Sequence, residues 1–361
     1  KYEGYVTTLI TDFAIETLKN FDREKPFCLL YFHKAPHRNW MPDSKHLTMY
    51  DGVEIPMPET FFDDYQTRSN AARDQDMEVI NLYNSSDMKI HSTGKEEEYS
   101  GGNEAFRMKA SENWQRLYNS LTNEQRKSWD AAYEPKNRAF LEANLSGIEL
   151  AKWKYQRYIK DYLRCVASVD DNIGRLLDYL DEHGLTENTV VIYTSDQGFY
   201  LGEHGWYDKR FMYEESLGMP LIIRYPQEIS AGMTLDEMVL NLDFCPTILD
   251  YAGVEVPAEI QGESLRSLLR GHPSPQWRQM IYYHYYEYPH GWHDVKRHYG
   301  IRTQKFKLIH FYDDIDAKEL YNLQQDPHEL NNVYGRAQLN GIQNELETQL
   351  KELKNYYMDY E

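Results

Sequence analysis

Thr189-Val190-Val191-Ile192-Tyr193-Thr194-Ser195-Asp196-Gln197-Gly198 is a short β-branched run that stops at a carboxylate, a side-chain amide and a glycine. A run of that texture predicts a buried strand, and the polar turn predicts a loop at its carboxyl end. Upstream, Tyr155, Ile159, Tyr162, Leu163, Val166, Val169, Ile173, Leu176, Leu177 and Leu180 form a stripe at helical spacing, and Gly184 is a helix stop. Helix, short turn and strand in that order are half of a βαβ unit, so the stretch sets the class as α/β. In open α/β sheets ligands bind at the carboxyl edge of the strands, the edge to which Asp196 and Gln197 belong.

Working outward, residues 3–20 read as an amphipathic helix through Val6, Leu9, Ile10, Phe13, Ile15 and Leu18. Phe27 to Phe32 is a continuous apolar run, expected as a strand buried on both faces, and the polar loop His33-Lys34-Ala35-Pro36-His37-Arg38 follows it. Pro36, Pro42, Pro56 and Pro58 make the next segment irregular, and 61–148 reads as a polar helical insertion carrying Trp114, Trp129 and Tyr133. Within it, Glu96-Glu97-Glu98 and Ser100-Gly101-Gly102 read as linker. Met219 to Arg224 predicts a strand and Asp243 to Tyr251 a helix. Beyond Gly271-His272-Pro273, the runs 281–286, 298–303, 305–311 and 318–323 alternate, predicting a small antiparallel sheet closed by a polar helix near 337–356. The expected division is a large unit over 1–260 and a small antiparallel-sheet-plus-helix subdomain over 275–361.

The 361 residues are 41% hydrophobic and 27% charged, the composition of a globular chain. Thirty-nine basic against 58 acidic residues give a net charge of −19, which argues against binding nucleic acid through a general basic face. An anionic substrate must therefore meet a local cationic pocket. No run approaches the roughly 18 apolar residues of a membrane span. Thirteen His and 31 Tyr supply ring donors and stacking faces suited to polar ligands or sugars. Cys28, Cys165 and Cys245 have no metal-site spacing and read as buried free thiols. The chain opens at Lys1-Tyr2-Glu3-Gly4 with neither Met nor a charged-then-apolar leader, which is expected of a processed or truncated product.

The densest chemistry lies between Thr194 and Arg210. Asp196 and Gln197 offer the oxygen donors that hard divalent cations take, and His204, Lys209 and Arg210 follow as holders of an anion. His33 and His37 end the first strand; convergence of both clusters on one pocket points to metal-assisted attack on a phosphate or sulfate ester.

Ser168-Val169-Asp170-Asp171-Asn172-Ile173-Gly174, Asn188 to Gly198, Gly202-Glu203-His204-Gly205-Trp206 with Lys209, Met219 to Arg224, Asp243 with Pro246 to Leu249, and Glu319 to Leu323 with Asp326-Pro327 and Glu329 occur in order. On these motifs the chain resembles the sulfatase family of the alkaline-phosphatase-like superfamily, over about residues 1–60 and 150–335. Within it, the chain is most similar to the N-acetylglucosamine-6-sulfatase and heparan 6-O-sulfatase group. The resemblance implies an alkaline-phosphatase-like sandwich with a largely parallel central sheet, a helical insertion and a small antiparallel C-terminal subdomain. It implies Asp196 and Gln197 as Ca²⁺ ligands and Lys209 as the sulfate lysine. His37 then contacts the sulfate or protonates the leaving oxygen, and the role of His204 stays open between sulfate contact and support. In Tyr282 to His293, rings and polar groups suit a sugar wall, with Glu287, His290 and Trp292 as candidates and His298 as a hydroxyl contact.

One departure is large. The family's formylglycine motif, C/S-x-P/A-x-R, and its early Asp-Asp pair precede the first strand read here, and the 25 residues before Pro26 contain neither. Ser69-Asn70-Ala71-Ala72-Arg73 fits the pattern but follows His37 and reads as a coincidence. The expected activity is hydrolysis of a glycan sulfate ester, with the nucleophile outside this chain, a complementary N-terminal chain as a candidate partner, and a periplasmic or secreted bacterial location. The alternatives are a phosphoryl-transfer enzyme of the same superfamily and an inactive glycan-binding fragment.

Overall fold

The computed structural model describes residues 2–90 and 104–360, so the acidic and glycine-rich linker motifs lie outside the described residues. The chain divides into two units, 1–61 with 76–186, and 62–75 with 187–361.

In the first unit, α1 (Val6–Asn20), α2 (Glu104–Ser120), α3 (Asn123–Ala143) and α4 (Gly147–Glu182) carry the fold. A capping box between Thr122 and Gln125 starts α3, and Gly184, at φ +66°, follows the end of α4. Of the apolar stripe of α4, Tyr155, Ile159, Val169 and Leu180 are buried and the rest half-buried, and a polar stripe is buried more completely. Lys154, Arg157, Asp161, Arg164, Ser168 and Asn172, spaced by three and four, all face inward. Asp161 accepts from Lys89 Nζ at 2.8 Å, Arg164 Nη1 at 2.7 Å and the Tyr133 hydroxyl at 2.6 Å. Lys154 Nζ donates to the carbonyls of Ile80 and Leu82 at 2.7 and 2.6 Å.

Two expectations are corrected here. Residues 61–90 form turns and single 3₁₀ turns rather than helix, and every residue from Leu82 to Ile90 is buried. Asx side chains take the backbone donors a helix would use, as where Asp87 Oδ2 accepts from Tyr83 N–H at 2.8 Å. Phe27 to Phe32 is extended but joins no ladder among the described residues. Tyr31 turns inward, its hydroxyl 2.6 Å from that of Thr11, while Leu30 and Phe32 are exposed, so one face of the run is covered rather than two.

The second unit contains β1 (Val191–Thr194), β2 (Tyr200–Leu201), β3 (Tyr207–Asp208), α5 (Glu214–Leu217), β4 (Leu221–Arg224), α6 (Phe244–Tyr251) and α7 (Arg266–Leu269). β5 (Met280–Tyr285), β6 (His298–Thr303), β7 (Phe306–Phe311), β8 (Ala317–Asn322) and α8 (Asn340–Tyr356) complete it. The antiparallel order β5-β6-β7-β8 matches the alternating runs. One face of this sheet packs Ile301, Phe306, Leu308 and Leu320 on Leu346 and Leu350 of α8. The other receives residues 211–213: Phe211 stacks on His298, and a Cβ on Gly300 would lie 2.5 Å from Met212 Sδ. The sheet is thus the floor under the loop that carries the site. β1 pairs β4 antiparallel, and Tyr193 and Ile222 are exposed across from each other. The parallel ladder expected for these strands is therefore absent among the described residues. Of the three thiols only Cys165 is buried, its pKa pushed up to about 12 by that burial, while Cys28 and Cys245 are exposed.

Glu214, at the start of α5, pairs with Lys307 Nζ at 2.8 Å and Arg302 Nη2 at 2.9 Å. Burial pushes its carboxyl up, but the Lys307 and Arg302 charges and hydrogen bonds overcome this and bring it down to about 2. A depressed carboxyl adds stability above its unfolded pKa and loses it as pH falls. Glu214→Gln is therefore expected to unfold at lower temperature than the parent at pH 7, with the gap closing between about pH 4.5 and 2. A gap that persists at pH 2 in thermal melts rejects this account.

Candidate active site

The turn after β1 fixes its backbone and leaves its ligand-type side chains exposed. Ser195 Oγ donates to Gln197 O at 2.9 Å, Asn241 Nδ2 to Asp196 O at 3.3 Å, and Gly198 N–H to Ser216 O at 3.0 Å. A Cβ on Gly198 would lie 2.2 Å from Glu215 O and 2.4 Å from Gly218 O, both backbone atoms. Gly198→Ala is therefore expected to cost about 1–3 kcal/mol, read as a lower Tm. Gly174→Ala, in open space on α4, gains up to about 1 kcal/mol of helix propensity. Equal melting of the two variants counts against this packing.

His204 is fully buried at φ +57°. Its Nδ1 lies 3.0 Å from Asp63 Oδ2 and 3.1 Å from Arg68 Nη1, and its Nε2 lies 3.6 Å from Glu215 Oε2. An ionised carboxylate only accepts, so Nδ1–H donates to Asp63, which the Arg68 guanidinium also grips. The Tyr65 hydroxyl donates to His204 O at 2.6 Å. His204 is thus enclosed within the loop, its ring set between Asp63 and Glu215. Close by, Ser69 N–H donates to Glu319 Oε1 at 2.8 Å, and Ala71 and Ala72 are fully buried.

A second charged knot forms where β3 ends. Asp208 Oδ1 lies 3.1 Å from Lys209 Nζ and 3.4 Å from Arg210 Nη1, and Oδ2 accepts from His293 Nε2–H at 2.9 Å. Burial would raise the Asp208 carboxyl, but the His293 hydrogen bond and the Arg210 and Lys209 charges hold it well below the usual carboxylate range. The Lys209 side chain is 11% exposed and its ammonium lies 5.7 Å from the centre of the Phe199 ring. Arg210 Nε lies 3.4 Å from Glu287 Oε2, and Tyr283 OH donates to Arg210 O at 2.7 Å. Asp208, His293 and Asp294 all have positive φ, strain of the kind that gathers at functional sites. Sequence reading missed Asp208 and His293, whose 85-residue separation carries no local signal.

The second unit thus brings together Lys209, Arg210 and Glu287. His290 is exposed, its N–H donating to Glu287 O at 2.8 Å, and the Trp292 side chain lies outside the described residues. His298 is fully buried among Phe211, Tyr283, Tyr285 and Phe311, and burial lowers its pKa to about 4. His298, the sequence candidate for a hydroxyl contact, is thus enclosed by rings. His37, in the first unit, is exposed with Nδ1 2.9 Å from Arg38 O. Among the described residues no group of three or more His, Cys, Asp or Glu is arranged to hold a metal ion. Asp196 and Gln197 have the donor chemistry that calcium takes but are two ligands of the six to eight it needs.

Residues 1–254 match the sulfatase family model, and residues 202–356 match the model for the C-terminal part of N-sulphoglucosamine sulphohydrolase. The chain belongs to the sulfatase family, and its fold is the alkaline-phosphatase-like α/β fold. It is 49% identical over 360 residues to an N-acetylglucosamine-6-O-sulfatase of Bacteroides thetaiotaomicron, covering 99% of this chain and 62% of that protein. It is 32% identical over 178 residues to an arylsulfatase of Clostridium perfringens, covering 48% of this chain and 35% of that one. A solved structure in complex with its substrate, D-glucosamine-2-N,6-O-disulfate, superposes with a TM-score of 0.92 at 48% identity, covering 100% of this chain and 71% of that one. A phosphonate monoester hydrolase from Silicibacter pomeroyi shares the fold at 22% identity and a TM-score of 0.65, covering 99% of this chain and 61% of that one. The chain therefore spans less than two thirds of the curated relative it matches over nearly its whole length. No described helix is long and apolar enough to cross a membrane.

Proposed function

We propose that the intact protein is a sulfuric ester hydrolase that removes 6-O-sulfate from N-acetylglucosamine in a glycosaminoglycan or mucin-type oligosaccharide. The observation that carries this reading is the largely buried Lys209 ammonium beside the Asp208 carboxylate and Arg210 guanidinium. A sulfate on C6 and a hydroxyl on C4 sit on carbons that are both bonded to C5, so the groups that read them must lie within a few ångströms. Lys209 neutralises charge developing on the sulfate, while Asp208 accepts from sugar hydroxyls and Arg210 donates to them. Glu287, His290 and Trp292 line the sugar side, and His37 gives a proton to the departing sugar oxygen. Asp196 and Gln197 would hold Ca²⁺, which would supply a Lewis acid for the sulfate, and formylglycine, placed outside residues 1–361 in this reading, would supply the nucleophile. Residues 1–260 are then the C-terminal portion of the catalytic domain and 275–361 its subdomain. The location is periplasmic or secreted.

The test is desulfation of 6-O-sulfated N-acetylglucosamine by the intact protein, followed by sulfate release, beside the 6-phosphate of the same sugar. Preferential turnover of the sulfate ester supports the reading. Preference for the phosphate ester overturns it.

A further inference from the structure

The segment from Tyr286 to Asp294 meets the corner formed by Asp208 and Arg210 through one hydrogen bond and one longer ion pair. His293 Nε2–H meets Asp208 Oδ2 at 2.9 Å, and Glu287 Oε2 stands 3.4 Å from Arg210 Nε. Each holder is itself held. The His293 ring sits edge-on to Tyr207 with centroids 5.2 Å apart, and the Tyr285 hydroxyl donates to Glu287 Oε2 at 3.0 Å. The loop is folded tightly round that carboxylate. A Cβ on Gly291 would lie 2.6 Å from Glu287 Cβ and 2.7 Å from its Oε2.

The division of labour on Asp208 is uneven. Oδ1 faces the two cations next to it in sequence, whereas Oδ2 faces a ring delivered from 85 residues away. Neighbouring cations alone leave a carboxylate free to rotate between them, but a bond to its second oxygen fixes the plane. Arg210 is restrained more loosely, its Nε 3.4 Å from Glu287 Oε2 in an ion pair without a hydrogen bond while its Nη1 faces Asp208. His293 adopts φ +77° to reach its partner, a conformation that a residue with a Cβ adopts at a cost.

We propose that His293 and Glu287 are positioning residues that orient Asp208 and Arg210 toward the hydroxyl groups of a sulfated hexosamine. They set selectivity for the sugar, whereas Lys209 answers to the sulfate. This rests on the function read above and deepens it.

The experiment compares 6-O-sulfated N-acetylglucosamine with 4-nitrophenyl sulfate, which has a sulfate ester and no sugar hydroxyls, using the intact enzyme. His293→Ala is expected to lower the sugar-to-aryl ratio of kcat/KM about tenfold, mainly through KM for the sugar. His293→Gln, whose amide N–H reaches a similar place, is expected to recover most of the ratio. Glu287 is on an exposed loop, so Glu287→Ala tests the same claim should His293→Ala fail to fold, and it should shift the ratio in the same direction. A ratio unchanged in the folded variants, or equal losses on both esters, overturns the positioning role. A parent enzyme that cleaves the aryl ester and ignores the sugar overturns the function reading instead.

Discussion

Lys209→Ala is expected to lower kcat/KM for the sulfate ester by about 10²–10³, the loss that follows removal of one preorganised charge or donor at a developing anion. The side chain is 11% exposed and lies within 3.1 Å of Asp208, so its ammonium acts in a medium of lower dielectric than water. The variant also separates catalysis from stability. Asp208 keeps the His293 hydrogen bond and the Arg210 guanidinium, so loss of the third partner leaves no buried charge unpaired. Tm should therefore move by only a few degrees, for a loss on the order of 1 kcal/mol. A folded variant with less than about a threefold loss in kcat/KM would remove Lys209 from the mechanism.

Several elements were legible because their signals are local. The α4 stripe, the stop at Gly184 and the four alternating runs of β5 to β8 follow from periodicity over a few residues. The Phe27–Phe32 run was read as buried on both faces because apolar continuity reports what a segment tolerates, not what covers it. Residues 61–90 were read as helix because their polar composition hid turn-forming Asp and Asn side chains that compete for the backbone.

Asp196, Gln197 and Lys209 stand out in the sequence as candidates through donor chemistry and ordered motifs, since no periodicity marks a strand-end loop. His204 and His298 show the limit of residue type as a guide. Both are ring donors in the sequence, and both prove fully buried, one in an ion-pair network and one in an aromatic cage. Partners such as Asp63 with His204, or His293 with Asp208, are brought together only by the fold.

The same limit hid the charged stripe of α4, and it leads to the second large effect. Asp161→Ala is expected to destabilise the first unit by about 3–5 kcal/mol, because removing one partner of a buried ion pair leaves the others buried and uncompensated. Asp161 and Lys89 are fully buried, and Arg164 and Tyr133 lean on the same carboxylate. The three cationic neighbours Lys89, Arg157 and Arg164 hold its pKa down against the burial that raises it. At about 2–4 °C per kcal/mol the unit's Tm should fall by roughly 6–20 °C. The cause is separable from lost packing by a second change. Adding Lys89→Met to Asp161→Ala removes one stranded charge, and the double variant should melt above the single one. A double variant that melts below Asp161→Ala by the full cost of Lys89→Met alone would show the two side chains to be independent, contrary to their 2.8 Å contact.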